Sequence, residues 1–300
     1  MEANRAPRQP SDGKRFRLGK RTFEPSDLVV MAIVNRTPDS FFDKGATFAQ
    51  DAALRAVELA VRDGAEIIDI GGVKAGPGDP VDTAEELHRT ISTVAAVKER
   101  FPDVLISIDT WRAEVAAEAV QAGADLLNDT WAGADPALAS VAAVTGAGLV
   151  CSHAGGLAPR TRPHRAAFDD VVDDVVRTVT ALAQRALDLG VRADGLLIDP
   201  AHDFGKNTRH SLLLTRRLDE LAATGWPVLV ALSNKDFVGE TLDVPLDDRL
   251  TGTLAATAVS AWLGAQVFRA HNVKETRQVL DMVASIRGDR PPAVARRGLA

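Results

Sequence analysis

Leu28-Val-Val-Met-Ala-Ile-Val34, followed at once by Asn35-Arg-Thr-Pro38, is the stretch on which the fold turns. An apolar run rich in Val and Ile, ended by Asn and a Pro-containing polar segment, reads as a buried strand entering a loop. A doubly wound dinucleotide fold would place a Gly-rich fingerprint directly after such a strand, so that backbone could approach a pyrophosphate. Asn35-Arg36-Thr37-Pro38 cannot serve as one. The loop continues through Asp39-Ser-Phe-Phe-Asp-Lys-Gly45, and the adjacent Phe41 and Phe42 in a polar segment read as a lid.

Working outward, the same strand–loop–helix pattern occurs eight times, with apolar runs at Leu28–Val34, Glu66–Ile70, Val104–Ile108, Asp125–Leu127, Gly148–Cys151, Gly195–Ile198, Pro227–Leu232 and Ala265–Phe268. Helical segments lie between them, among them Gln50–Asp63, Arg112–Gln121 and Phe168–Leu189, each stopped by a nearby glycine (Gly64, Gly123, Gly190). Continuously apolar strands alternating with helices imply a parallel sheet buried on both faces. Eight such units in one chain imply an α/β fold of the closed (β/α)8 TIM-barrel type. Arg15–Phe23 alternates around Leu18-Gly19-Lys20 and reads as an N-terminal β-hairpin. The expected organisation is one barrel domain over 14–288, with disordered tails at 1–13 (basic) and 289–300.

Composition narrows the partners. A net charge of −6 argues against nucleic acid. The single cysteine, Cys151, excludes an intrachain disulfide and a cysteine-rich zinc site, and fits a reducing, cytoplasmic setting. No apolar run reaches the roughly 20 residues that span a bilayer, so no membrane is expected. The N-terminus lacks the apolar core of a secretory signal.

Active sites of such barrels sit at the C-terminal strand ends. Those ends carry Asn35; Asp69 with Gly71-Gly72; Asp109; Asn128-Asp129; Ser152-His153; Asp199; Ser233-Asn234-Lys235; and Arg269 with His271. Their convergence on one mouth implies a polar pocket. Asp109, Asn128 and Asp199 suit the donor-rich edge of a heterocycle, since a carboxylate accepts two parallel hydrogen bonds. Lys235, Arg269 and His271 supply positive charge for an anion such as phosphate. His153 reads equally as a satisfied core histidine.

With these residues in place, the chain resembles the dihydropteroate synthase family of pterin-binding barrels over roughly Phe16 to Ile286. The resemblance rests on Asn35–Gly45, Ile68-Asp-Ile-Gly-Gly72, Ser107-Ile-Asp-Thr110, Asn128-Asp129, Asp199-Pro200 with Phe204-Gly-Lys206, Ser233–Lys235 and Arg269-Ala-His271. It implies joining of 6-hydroxymethyl-7,8-dihydropterin diphosphate to 4-aminobenzoate, with Mg2+-assisted loss of pyrophosphate. It further implies that Asp109, Asn128 and Asp199 bind the pterin edge, Lys235 hydrogen-bonds the ring and Arg269 stacks on it. Asn35 and His271 would hold the diphosphate, with Asn35 on Mg2+, and Ser233 and Phe204 would line the aminobenzoate side. Lys235, Arg269 and His271 form the implied catalytic group, and a homodimer through the last helices is implied as well.

The pattern breaks in two loops. Where the family reads Gly-Gly-Glu-Ser-Thr-Arg-Pro-Gly, this chain has Gly71-Gly-Val-Lys-Ala-Gly-Pro-Gly78, with Ala75 for the threonine and Gly76 for the arginine. Lys74 cannot reproduce a guanidinium fork. Arg36, Phe42 and Lys44 depart within the first loop, Asn234 replaces the arginine of Ser-Arg-Lys, Ser152 precedes His153, and Trp131 follows Thr130. The expectation is a paralogue with weak or absent synthase activity. The alternatives are a fully active synthase in which Arg36, Lys44 and Lys74 compensate, and a methyltetrahydrofolate-binding methyltransferase module, which has no need of the lid or of the Ser-x-Lys and Arg-x-His groups.

Overall fold

A computed structural model describes residues 15–37, 49–161 and 167–298. The N-terminal tail and most of the lid loop, including Phe41, Phe42 and Lys44, lie outside the described residues. Two short strands, β1 (Phe16–Leu18) and β2 (Arg21–Phe23), form the expected antiparallel hairpin. Eight parallel strands follow: β3 (Val29–Asn35), β4 (Ile67–Gly71), β5 (Leu105–Asp109), β6 (Leu126–Asp129), β7 (Gly148–Ser152), β8 (Leu196–Asp199), β9 (Leu229–Ala231) and β10 (Val267–Ala270). They are ordered β8-β7-β6-β5-β4-β3-β10-β9, and a single parallel bridge, Ile198 to Val228, joins β8 to the approach of β9. This is the (β/α)8 TIM barrel that the sequence implies.

The helices are α1 (Gln50–Arg62), α2 (Thr83–Arg100), α3 (Ala113–Gln121), α4 (Leu138–Thr145), α5 (Val171–Asp188), α6 (Thr208–Arg216), α7 (Leu218–Ala222), α8 (Asp236–Leu242), α9 (Leu250–Trp262) and α10 (Val273–Arg287). Most boundaries differ from the sequence expectation by one to three residues, and two of these shifts have identifiable reasons. α5 starts at Val171 rather than Phe168, because the Asp170 side chain accepts from the amides of Val172 and Asp173 and caps the helix there. The last strand begins two residues later than Ala265, since the Ala265 amide still donates to Ser260 in the turn that ends α9. The strand also runs on to Ala270 instead of ending at Phe268, which places Arg269 inside β10 rather than after it. No described helix is long and apolar enough to cross a membrane.

Two apolar layers hold the barrel. The larger lies between strands and helices. The smaller fills the barrel's floor: Val29, Met31, Ile67, Leu105, Leu126, Val150, Leu197, Leu229 and Val267 meet Phe16, Leu18 and Phe23 of the hairpin, which plugs that end. Side chains alternate across a strand, so residues two and four positions on from this layer also face inward. By that count Asn35, Asp69, Asp109, Asn128, Ser152, Asp199 and Arg269 all point into the barrel, above an apolar floor.

Candidate functional site at the barrel mouth

Strand register stacks these inward residues in rows. Asn35 pairs with Gly71, Gly71 with Asp109, and Asp109 with Asn128. Asp69 lies one layer deeper, opposite Ser107 and Ile33, and Asp199 lies opposite Ser152 at the top of β8. Gly71 sits between the two polar side chains of this row: a Cβ there would lie in ordinary contact, 3.7 Å from an Asp109 carboxylate oxygen and 3.9 Å from the Asn35 side-chain oxygen.

Arg269 occupies the centre. Its Nε donates to Asp69 Oδ2 at 2.6 Å and its terminal nitrogen to Asp109 Oδ2 at 2.8 Å. Asp69 is fully buried and also accepts from Asn128 Nδ2 at 3.3 Å. Thr130 Oγ1 donates to the other Asp109 oxygen at 3.3 Å. Burial pushes the Asp109 carboxyl up to about 7, against the opposing pull of Arg269, and the nearby Asp69 adds to the rise. Asn128 Oδ1 is buried with no hydrogen-bond partner among the described residues. An orphaned acceptor beside a carboxylate marks a place for a ligand with N–H donors, because a buried acceptor left unmade costs free energy.

A second cluster builds the other side. Asp199 Oδ1 accepts from the Ala201 amide at 2.7 Å, and its carboxyl is raised by burial. Lys206 is buried and donates to three backbone carbonyls, His153 at 2.9 Å, Ala201 at 3.1 Å and Phe204 at 2.8 Å. Desolvation brings its ammonium down to about 7. The Lys235 ammonium sits 4.5 Å from the centre of the Phe204 ring and donates to the His202 carbonyl. Ser233 Oγ accepts from the His271 amide at 3.1 Å and lies 3.0 Å from His271 Nδ1. Backbone strain gathers here: Ala201, Asp203 and Asn234 all have positive φ, at 49°, 68° and 56°, a conformation that L residues hold only when their surroundings enforce it. Gly205 is needed at its position, since a Cβ would meet the Ala154 carbonyl at 2.7 Å.

All nine sequence-selected residues therefore lie at this end of the barrel: Asn35, Asp109, Asn128, Asp199, Phe204, Ser233, Lys235, Arg269 and His271. His153 does not join them. Its Nε2 lies 2.9 Å from Asp174 Oδ2 of α5, and burial depresses its imidazole to about 4, so it is a neutral core histidine. Sequence reasoning gave no role to Asp69 or Lys206, although each stood in a quoted motif. The available signal was an acidic residue inside the apolar run Glu66–Ile70, which must find a partner once buried. Lys206 had no comparable signal, because its partners are backbone carbonyls from two separate loops.

The rewritten second loop, 72–82, is held from outside. Arg89 donates to the Gly72 carbonyl at 3.0 Å, Arg160 to Gly76 at 3.4 Å and Asp79 at 2.7 Å, and Arg112 to Val81 at 2.6 Å. Gly72 has no room for a side chain, as a Cβ would meet Thr90 Cγ2 at 2.7 Å. Arg36 is buried and directs Nε to the Arg89 carbonyl at 3.0 Å, towards α2.

Comparison with known proteins accords with this geometry. The family described as pterin binding enzyme matches residues 31–271. "Inactive dihydropteroate synthase 2" of Mycobacterium leprae is 60% identical over 276 residues, 91% of this chain and 95% of that protein. Dihydropteroate synthase of Escherichia coli K12 is 38% identical over 255 residues, covering 85% and 90% respectively. The crystal structure of Yersinia pestis dihydropteroate synthase in a sulfonamide drug complex superposes with a TM-score of 0.87 at 36% identity, over 92% of this chain and 100% of that one. With the barrel, the buried Asp–Arg–Asp centre and these relatives agreeing, the chain belongs to the pterin-binding enzyme family, in its dihydropteroate synthase branch.

Proposed function

We propose that this protein retains the pterin-recognising half of a dihydropteroate synthase site while its synthase activity is weak or absent. One observation carries the reading. The loop 72–82 is clamped through its backbone carbonyls by arginines from other elements, and at the positions where the family has a threonine and an arginine it has Ala75 and Gly76. A side-chain donor that acts on charge developing in the transition state is worth on the order of 10² to 10³ in rate. The pterin side keeps its full complement: Asp109 and Asp199 as acceptors, the open Asn128 Oδ1, and Lys235 and Arg269 beside them. The inactive designation of the M. leprae relative supports the same reading.

The diphosphate would lie over Asn35, Ser233 and His271. Among the described residues no three His, Cys, Asp or Glu side chains form a metal cage. An Mg2+ ion would therefore take most of its oxygens from the diphosphate and Asn35 Oδ1 from the protein, a donor type that suits this hard cation. Bound there, it would neutralise charge on the departing pyrophosphate. Compensation by Arg36 is disfavoured by its burial against α2, and the methyltransferase alternative by the convergence of Ser233, Lys235, Arg269 and His271 on one mouth.

A steady-state assay is expected to give pteroate at least about 100-fold more slowly than an ordinary synthase, while calorimetry detects the pterin diphosphate. Its affinity should rise from pH 6 to pH 8, because the ionised Asp109 carboxylate is the better acceptor and its carboxyl titrates at about 7. Turnover within tenfold of an ordinary synthase would sink the proposal. Gain of activity on Ala75→Thr with Gly76→Arg would locate the defect in this loop.

A cytoplasmic location and a homodimer belong to the same proposal. Val259 and Trp262 of α9 and Met282 and Ile286 of α10 are 47 to 62% exposed, and large apolar side chains on this packed pair of helices suit an interface. Sedimentation should show a dimer that Trp262→Glu with Met282→Glu converts to monomer.

A further inference from the structure

Trp131 has no part in the function proposed above, yet it is built firmly into the loop that follows β6. It is 3% exposed. Asp129, whose side chain faces away from the barrel interior, accepts from the Trp131 amide at 3.0 Å and from the Gly133 amide at 2.7 Å. Between those two amides Ala132 is held at φ 56°, a left-handed conformation unusual for alanine. The loop after β6 is thus pinned by a buried carboxylate and bent through a strained residue, and its product is the placement of one indole.

That indole meets the Phe204 ring in a T-shaped contact at 5.3 Å and the Trp111 ring in another at 6.5 Å. Phe204 carries the Lys235 ammonium over its ring at 4.5 Å. Trp111, Trp131, Phe204 and Lys235 come from the ends of β5, β6, β8 and β9, so the four groups form a continuous wall across one side of the mouth. Asp109 and Asn128 belong to β5 and β6, the same two strands that lead into Trp111 and Trp131, so the acceptor edge with its unpartnered Asn128 Oδ1 adjoins this wall. Phe204 is the residue on which the aminobenzoate ring would rest. With an indole against it and an ammonium over it, the Phe204 ring already contacts two groups of the protein and stays only partly exposed.

We propose that Trp131 is a specificity-determining residue that closes the aromatic-amine side of the mouth, so that the site takes a pterin and excludes a second aromatic ring. This rests on the reading of the barrel mouth as a pterin site with Phe204 on its aminobenzoate side. It supplies a reason for weak turnover separate from the rewritten loop 72–82. Restoring Thr and Arg to that loop would then leave the co-substrate without a place to bind.

The test is calorimetric titration of 4-aminobenzoate into the full chain, alone and with saturating 6-hydroxymethyl-7,8-dihydropterin, which lacks a leaving group and cannot react. Wild-type protein is expected to bind 4-aminobenzoate no tighter than about 1 mM. Trp131→Ala should bind it at least roughly tenfold more tightly, and Trp131→Leu, which keeps an apolar side chain in the buried position, should move in the same direction. Pterin binding, read separately from quenching of tryptophan fluorescence, should survive in both variants. Equal 4-aminobenzoate affinity in wild type and a folded variant overturns the inference. Absence of pterin quenching in wild type overturns the pterin reading of the site instead, while the comparison of aminobenzoate affinities still decides the role of Trp131.

Discussion

Replacing Arg269 with leucine is expected to cost about 3–5 kcal/mol of stability, the usual penalty for removing one partner of a buried ion pair. Arg269 is the cation that directly contacts both Asp69, which is fully buried, and Asp109, whose side chain is 18% exposed. Leucine fills part of the volume and leaves two neighbouring carboxylates facing each other above an apolar floor. The deficit should depend on pH in a defined sense. Asp109 already titrates at about 7 because burial disfavours its charged form, and Arg269 is the strongest influence opposing that rise. A carboxyl whose folded pKa lies above its unfolded value of about 3.9 favours the folded state at low pH, and that contribution is lost as pH rises through the folded pKa. The variant should thus be closest to wild type near pH 5, where Asp109 carries its proton, and furthest from it near pH 8. Denaturant titrations at the two pH values measure this. Asp69→Asn in the same chain should recover part of the loss at pH 8, since one of the two stranded charges is then gone. A loss below about 1 kcal/mol that ignores pH would mean that the Asp69–Arg269–Asp109 centre does not carry the charge balance of the barrel interior.

The second large effect belongs to Lys206. Lys206→Met should cost about 3 kcal/mol, because the carbonyls of His153, Ala201 and Phe204 lose a shared donor in a buried setting. The linkage again has a sign. The folded ammonium titrates at about 7, driven there by desolvation, whereas an unfolded lysine titrates near 10.4. A group with a depressed folded pKa contributes stability above its unfolded value that is lost as pH falls towards the folded one. Wild-type stability should rise between pH 7 and pH 9 by as much as about 1.4 kcal/mol per unit from this group, and the methionine variant should lack that slope. The same substitution frees the strained segment Ala201–Phe204, so pterin affinity should fall by roughly tenfold as Phe204 and Asp199 lose their fixed positions. An unchanged slope would assign the proton uptake to another group.

The eight apolar runs, their glycine stops and the polar residues that end them were legible because period and punctuation are local properties of the chain. The parity argument is legible too, once the floor of the barrel is known. Counting two residues on from Ile67, Leu105, Leu126, Leu197 and Val267 arrives at Asp69, Ser107, Asn128, Asp199 and Arg269. Asp69 and Lys206 were visible as letters but not as roles, because what defines them is desolvation and partners drawn from β10 and from two separate loops. His153 resembled a site residue because it follows a strand end, and only its contact with Asp174 on α5 removes it from the mouth.

By itself, then, the sequence determined the barrel, the family and the residues that converge at the mouth, since hydrophobic period and strand-end chemistry survive in one dimension. The tertiary structure decided which of those residues are spent on one another. Arg269 is committed to two carboxylates, Lys235 rests on Phe204, Arg36 is turned into α2, and Trp131 is wedged against the aromatic side. These outcomes depend on distances between segments up to 200 positions apart, set by closure of the barrel rather than by any local preference of the chain.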